Sequence, residues 1–294
     1  MSLLAVPNFS EGRDTSVIAA IRAALDADRG LLDRHSDIEH NRTVYTLAGE
    51  GRALEERLAA GAAVAIEQID MRRQRGLHPC IGALDVCPIV WLDLEGREPA
   101  RAQARSVGER IGSLGVPVFL YGELASSEER QERAFFREGG LTALRQRMKA
   151  GELAPDMGPE IPHLSAGATL VTARPPLAAF NIELDTGDAV VAQRVAAAVR
   201  EAGGGPPGVR AIGLPLDGGR SQVSTNVHDP IAVPLRMVVA RVTELAAEQG
   251  ARPVEAEIVG LVPAAALQGF PQELPIRDFD PERHVIESRL SPTR

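Results

Sequence analysis

Hydrophobic residues along this chain fall twice into one order of patterns, β-α-β-β-α-β. In the first pass Leu3 to Asn8 reads as a strand, and about Thr15 to Asp28 as a helix with Val17, Ile18, Ile21 and Leu25 on one face. Leu31 to Ser36 and Thr43 to Leu47 read as strands, about Ala53 to Ile69 as a longer helix, and Ala83 to Val90 as an apolar strand. A helix near Ala100 to Ser113 and a strand over Val116 to Tyr121 extend the series. The second pass has strands at Ala178–Leu184, Val209–Leu214, Gln222–Val227 and Glu255–Leu261, and helices at Ala189–Arg200 and Leu235–Glu248. This is the order of the ferredoxin-like split βαβ unit. The expected fold is therefore α/β (α+β), with two βαββαβ subdomains whose sheets pack together. Residues 1–176 are assigned to the first and 177–294 to the second. Ala154 to Pro162, with three prolines and one glycine, is too irregular for either periodic element and reads as the connector. The two passes share no repeat at residue level, so the duplication is one of pattern only.

Composition removes several functions. A formal charge of −8 argues against a nucleic-acid binder, which needs a basic excess or stripe. It leaves acidic substrates open, because a local arginine cluster makes a positive site on an acidic protein. Lys149 is the only lysine, in the polar run RQRMKAGE that reads as a solvated helix end. A Schiff-base or pyridoxal-phosphate enzyme would have to use it. No Gly-Lys-Ser/Thr triplet exists for a phosphate loop. Arginine suits planar carboxylates through paired hydrogen bonds. The two cysteines, Cys80 and Cys87, have no metal-type spacing, and the N-terminus carries no secretory pattern, so a soluble, cytoplasmic protein without membrane contact is expected.

The segment GLHPCIGALDVCP, Gly76 to Pro88, holds a histidine in a loop before an apolar strand. Gly76 frees the backbone ahead of it, and Pro79 biases His78 towards an extended conformation. Imidazole titrates near neutral pH, so a histidine held this way suits general acid/base work. On these residues alone a surface-loop histidine is an equal reading.

Several strings in order resemble the formiminotransferase domain family. They are VPNFSEG (6–12), HNRTVYT (40–46), the histidine loop, APDMGP (154–159), AGAT (166–169), ARPPLAAFNIEL (173–184), QVSTN (222–226) and VGLVP (259–263). The resemblance implies two subdomains with a substrate tunnel between them. It also implies transfer of a formimino group from N-formimino-L-glutamate to N5 of tetrahydrofolate, in histidine degradation. Tetrahydrofolate is then a co-substrate, no metal is required, and a homodimer is expected. In animal members the module is fused to a cyclodeaminase domain, for which this chain is too short.

By the same resemblance His78 is the general acid/base. The folate-binding segment falls on Gly158, Pro159, Glu160, Ile161, Pro162, His163, Leu164, Ser165, Ala166 and Gly167. Two positions near the histidine depart from the family pattern: Leu77 replaces an acidic or small residue, and Cys80 an arginine. Ala166 stands where animal members carry a tryptophan. Further pocket candidates come from the residues themselves. Asp85 could orient His78, steady an amidinium or cap a strand end, and Arg42 could meet a carboxylate or form an ordinary surface ion pair. Asn8, Asn181 and Asn226 suit either hydrogen-bonded turns or pocket-lining amides, and Asn41, at the mouth of a strand in HNRTVYT, is a further pocket candidate.

Two other functions compete. His35, Asp37 and His40 in HSDIEHN could serve a metal-dependent amidohydrolase, although the spacing matches no zinc pattern. The substitutions at Cys80 and Ala166 would also suit a folate-binding homologue without turnover.

Overall fold

A computed structural model of the chain describes residues 3–26, 30–38, 40–76, 79–216 and 218–290. It divides into two units, Met1–Pro175 and Pro176–Arg294. The first contains β1 (Leu3–Ala5), β2 (Asn8–Phe9), α1 (Thr15–Leu25), β3 (Leu31–Asp37), β4 (Arg42–Gly49), α2 (Gly51–Gln68) and β5 (Leu84–Val90). It continues through α3 (Arg97–Ser113), β6 (Val118–Leu120), α4 (Arg133–Arg137), α5 (Gly140–Lys149) and β7 (Thr169–Arg174).

The expected first strand is split. β1 pairs with β5 at Leu4↔Val90 and Ala5↔Ile89, and β2 resumes at Asn8↔Val86. Between them Val6 falls opposite Pro88 and Pro7 opposite Cys87, and neither proline has an N–H to give the ladder. Val6 N–H donates to the Pro88 carbonyl at 3.0 Å, and Pro7 keeps a neighbour by accepting from Tyr45 N–H at 3.1 Å. β1 and β2 both lie antiparallel between β4 and β5, and β3 pairs outside β4. On the other side β5, β7 and β6 run parallel. β5 is thus the central strand, and all seven of its residues are buried. That explains its unbroken apolar run.

α1 begins at Asp14, whose carboxylate accepts the N–H groups of Ser16 and Val17 at 2.9 and 3.2 Å, an N-cap. Its stripe of Val17, Ile18, Ile21 and Leu25 joins Leu54, Leu58 and Ala62 of α2 and Val107 and Ile111 of α3 in one core. Arg57, inside α2, donates to the Leu25 carbonyl at 2.7 Å and so serves the end of α1. A smaller core of Val86, Phe119, Tyr121, Phe136, Leu144 and Leu170 lies beneath α4 and α5.

The stretch 154–162 was expected to connect the two halves. Instead it belongs to the first: Val118 N–H donates to the Met157 carbonyl at 2.9 Å, and the chain then returns to the sheet as β7. The run TLVTAR that forms β7 has the apolar signature of an inner strand, and five of its six residues are buried. The second unit contains β8 (Ala178–Leu184), α6 (Ala189–Val199), β9 (Val209–Leu216), β10 (Arg220–Val227), α7 (Leu235–Glu248), β11 (Pro253–Val259), and the short α8 (Pro281–His284) and α9 (Ile286–Leu290). Its antiparallel order β11-β8-β10-β9 is the ferredoxin-like order, and the same order underlies β3, β4, β1/β2 and β5. Phe180, Ile182 and Leu184 alternate into a core with α6 and α7. Asn181 and Glu183 take the other sheet face, opposite Ser224 and Gln222 of β10 and Glu257 and Glu255 of β11. Among the described residues no helix is long and apolar enough to cross a membrane.

Candidate active site

In the first unit, the ends of β2, β4 and β5 bring together the segments that the sequence singled out. The turn before β4 places Asn41 in the left-handed region, at φ 49°. Its side-chain oxygen accepts Gly12 N–H at 2.9 Å, and its carbonyl accepts from Gln74 Nε2 at 3.0 Å. Asn41 is therefore a buried turn residue that clamps three segments together. Asn8 turns its amide onto the Val6 carbonyl at 2.8 Å.

The histidine loop is anchored at both flanks. At Gly76 a Cβ would stand 2.4 Å from the His40 carbonyl oxygen, so only glycine permits this approach. On the far side, Ile81 N–H donates to Asp85 Oδ1 at 2.7 Å, and Ser10 Oγ donates to the Gly82 carbonyl at 2.7 Å. Leu77 and His78 themselves lie outside the described residues. Cys80 is half-buried beside Ser10; burial pushes its thiol up, and Asp85 adds to this.

Residues 158–167 close on themselves and then dock on that loop. His163 and Gly167 exchange backbone hydrogen bonds of 2.9 and 3.1 Å, and His163 Nδ1 accepts Ala166 N–H at 3.0 Å. Ser165 accepts from Met71 N–H, and Gly167 forms a bridge with Gly82. Ala166 is buried in the core, so its side chain does not face outwards, whereas Ile161 and Leu164 stand exposed at the tip. Gly167 has φ +73°, and a Cβ there would lie 2.0 Å from the Ile81 oxygen. Gly167→Ala is expected to cost about 1–3 kcal/mol from backbone strain alone. A urea titration checks this, and an unchanged midpoint would mean that the loop yields freely.

Asp85 is spoken for. It is buried, and while Oδ1 holds Ile81 N–H, Oδ2 accepts from Arg137 of α4 in an ion pair whose side chains are 3% and 10% exposed. Cys80 thus adjoins an acid already served by an arginine from another element. Arg42 opens β4 one register step beyond Thr43, which lines up with Phe9 and, through it, Leu84. Its Nε is buried and has no hydrogen-bond partner among the described residues. Burial pushes its guanidinium below the usual arginine value; Asp37 opposes this shift, and Arg133 adds to it. Arg174, at the end of β7, is pushed by burial down to about 10.

The proposed metal cluster has another use. His40 Nδ1 meets Asp37 Oδ2 at 2.8 Å, and His40 N–H donates to the other oxygen at 2.8 Å, so Asp37 organises its own turn. Among the described residues no group of three His, Cys, Asp or Glu side chains is placed to hold a metal ion. Asn181 and Asn226 fall in the second unit. Asn181 donates to Glu257 at 2.8 Å across the sheet, and Asn226 is exposed inside β10.

Residues 2–174 match the family model described as the formiminotransferase domain, N-terminal subdomain, and residues 179–270 match that of the formiminotransferase domain. The chain belongs to the formiminotransferase domain family. It is 36% identical over 291 residues to a glutamate formimidoyltransferase of Streptococcus pyogenes, spanning 97% of each chain. It is also 36% identical to one of Thermoplasma acidophilum, with 99% of this chain and 98% of that one covered. A formimidoyltransferase-cyclodeaminase of Sus scrofa is 41% identical over 89% of this chain, which matches half of that protein.

Within this formiminotransferase chain, the residues that sequence reasoning missed are Arg133, Arg137 and Arg174. The only signal was the general excess of arginine over lysine. Their convergence depends on α4 folding back over β5 and β7.

Proposed function

We propose that the protein is a glutamate formimidoyltransferase that moves the formimino group of N-formimino-L-glutamate to N5 of tetrahydrofolate. The observation that carries this reading is the similarity, over nearly the whole of both chains, to relatives bearing that name. The local architecture supports it: the Gly76–Pro79 loop is anchored at both flanks, and the folate segment docks directly on it.

The chemistry needs little more than positioning and one proton carrier. N5 attacks the amidine carbon, and the tetrahedral adduct that forms carries three nitrogens: N5, the glutamate nitrogen and the formimino nitrogen, which stays on the carbon as it is transferred. Collapse towards product requires that N5 lose its proton and that the glutamate nitrogen gain one. A single histidine accepting the first and returning it to the second balances the step, and free glutamate leaves as the amine. His78 is the residue assigned to this relay. Residues 158–167 form the folate surface, with Ile161 and Leu164 offering apolar contact and the backbone around Gly158 and Gly167 allowing close approach.

The test is glutamate release from N-formimino-L-glutamate with and without tetrahydrofolate. Release is expected only with the folate. Release at the same rate without it, or release abolished by a chelator, would replace this reading with a hydrolase. Folate binding without release would leave a binding homologue.

A further inference from the structure

The arginines around Asp85 outnumber the acids available to them. Arg133 and Arg137 stand four residues apart on α4, so both project to one side of that turn. Arg137 reaches Asp85 at the start of β5, yet its Nε is buried without a partner. Arg42 approaches from β4, and its Nε is likewise buried and unpartnered. Neither Arg42 nor Arg133 forms an ion pair among the described residues. Of the acids nearby, Asp85 is held by Arg137 and Ile81, and Asp37 by His40. The protein carries a net charge of −8, so an uncompensated cluster of this kind is a local exception rather than a general trend.

Buried guanidinium groups are costly unless they are paired, and planar N–H forks match carboxylate oxygens two at a time. We infer that Arg42, Arg133 and Arg137 form a subsite for the carboxylates of a glutamyl group. The inference rests on the formimidoyltransferase reading for the identity of that group. Both the formimino donor and the glutamate tail of folate carry one, and they share the same chemistry. Arg137 contributes the N–H groups left over from Asp85, while Arg42 and Arg133 bring unpaired charge.

The experiment is calorimetric titration of the full chain with glutarate, beside its uncharged diamide. Wild type should bind glutarate and not the diamide. Arg133→Ala should weaken glutarate binding by about 10- to 150-fold, the range of one charge-assisted hydrogen bond. Arg133 is half-exposed and unpaired, so this variant should fold; Arg42→Ala provides an independent second reading. Steady-state kinetics of both variants identify the source. A raised KM for N-formimino-L-glutamate with kcat retained assigns the subsite to the donor, and a raised KM for tetrahydrofolate assigns it to the folate tail. Wild type without affinity for glutarate, or both variants binding it as wild type does, overturns the subsite. Turnover of wild type on the same sample keeps the two readings apart. Glutarate binding without turnover rejects the transferase and retains the subsite, whereas turnover with glutarate affinity unmoved by either substitution rejects the subsite alone.

Discussion

His78→Ala should lower kcat by roughly 10²- to 10⁴-fold, the usual contribution of a positioned acid/base group. The loss should fall on turnover, because the folate surface is assigned to residues 158–167. Folding should survive. The contacts that anchor the loop are Gly76 against the His40 backbone, Ile81 N–H on Asp85 and Ser10 on Gly82, and none of them uses the imidazole. Wild-type kcat should follow a group titrating near the histidine value of about 6.5, and that inflection should vanish in the variant. The decisive comparison is turnover and folate affinity in one preparation. A variant that turns over normally clears His78 of proton transfer, and one that has lost its fold gives the residue a structural task.

The largest effect on stability should come from Arg137→Met. Asp85 and Arg137 are 3% and 10% exposed, so solvent screens this pair little, unlike the surface pairs Arg52–Glu56 or Arg252–Asp185. Removing one partner leaves a buried charge uncompensated and is expected to cost about 3–5 kcal/mol. Adding Asp85→Asn to the same chain removes the stranded charge and keeps an oxygen for Ile81 N–H, so the double variant should recover most of the loss. Urea midpoints of the wild type, the two singles and the double form a cycle that measures this coupling. A loss below about 1 kcal/mol in Arg137→Met would place the pair in the class of exposed ion pairs.

Long periodic elements were legible in the sequence, and short or interrupted ones were not. α7 starts and stops where its apolar period does, Leu235 to Glu248, and α1 shows its buried stripe without ambiguity. The first strand looked continuous because hydropathy does not register that Pro7 and Pro88, one register step apart on facing strands, each lack an N–H for the ladder. β7 was lost because a proline-rich stretch just before it looked like a boundary, whereas that stretch pairs with the edge of β6. The site divides in the same way. His78 and the 158–167 segment could be named because contiguous strings carry the family resemblance. Arg137 could not, since its partner Asp85 is 52 residues away and α4 is only five residues long. From its place at the mouth of β4, Asn41 is expected only as a pocket residue. Its φ of 49° and its bond to Gly12 show the turn, a distinction that depends on backbone conformation.

The most direct test of the central claim follows the transferred carbon itself. N-Formimino-L-glutamate labelled with ¹³C at the formimino carbon is mixed with tetrahydrofolate and the protein, and the label is followed by NMR. The account predicts that the label moves to N5 of the folate in step with the appearance of free glutamate, one for one, with no labelled formamide or formate. Label appearing first in formamide or formate, with the folate unmodified, would contradict it.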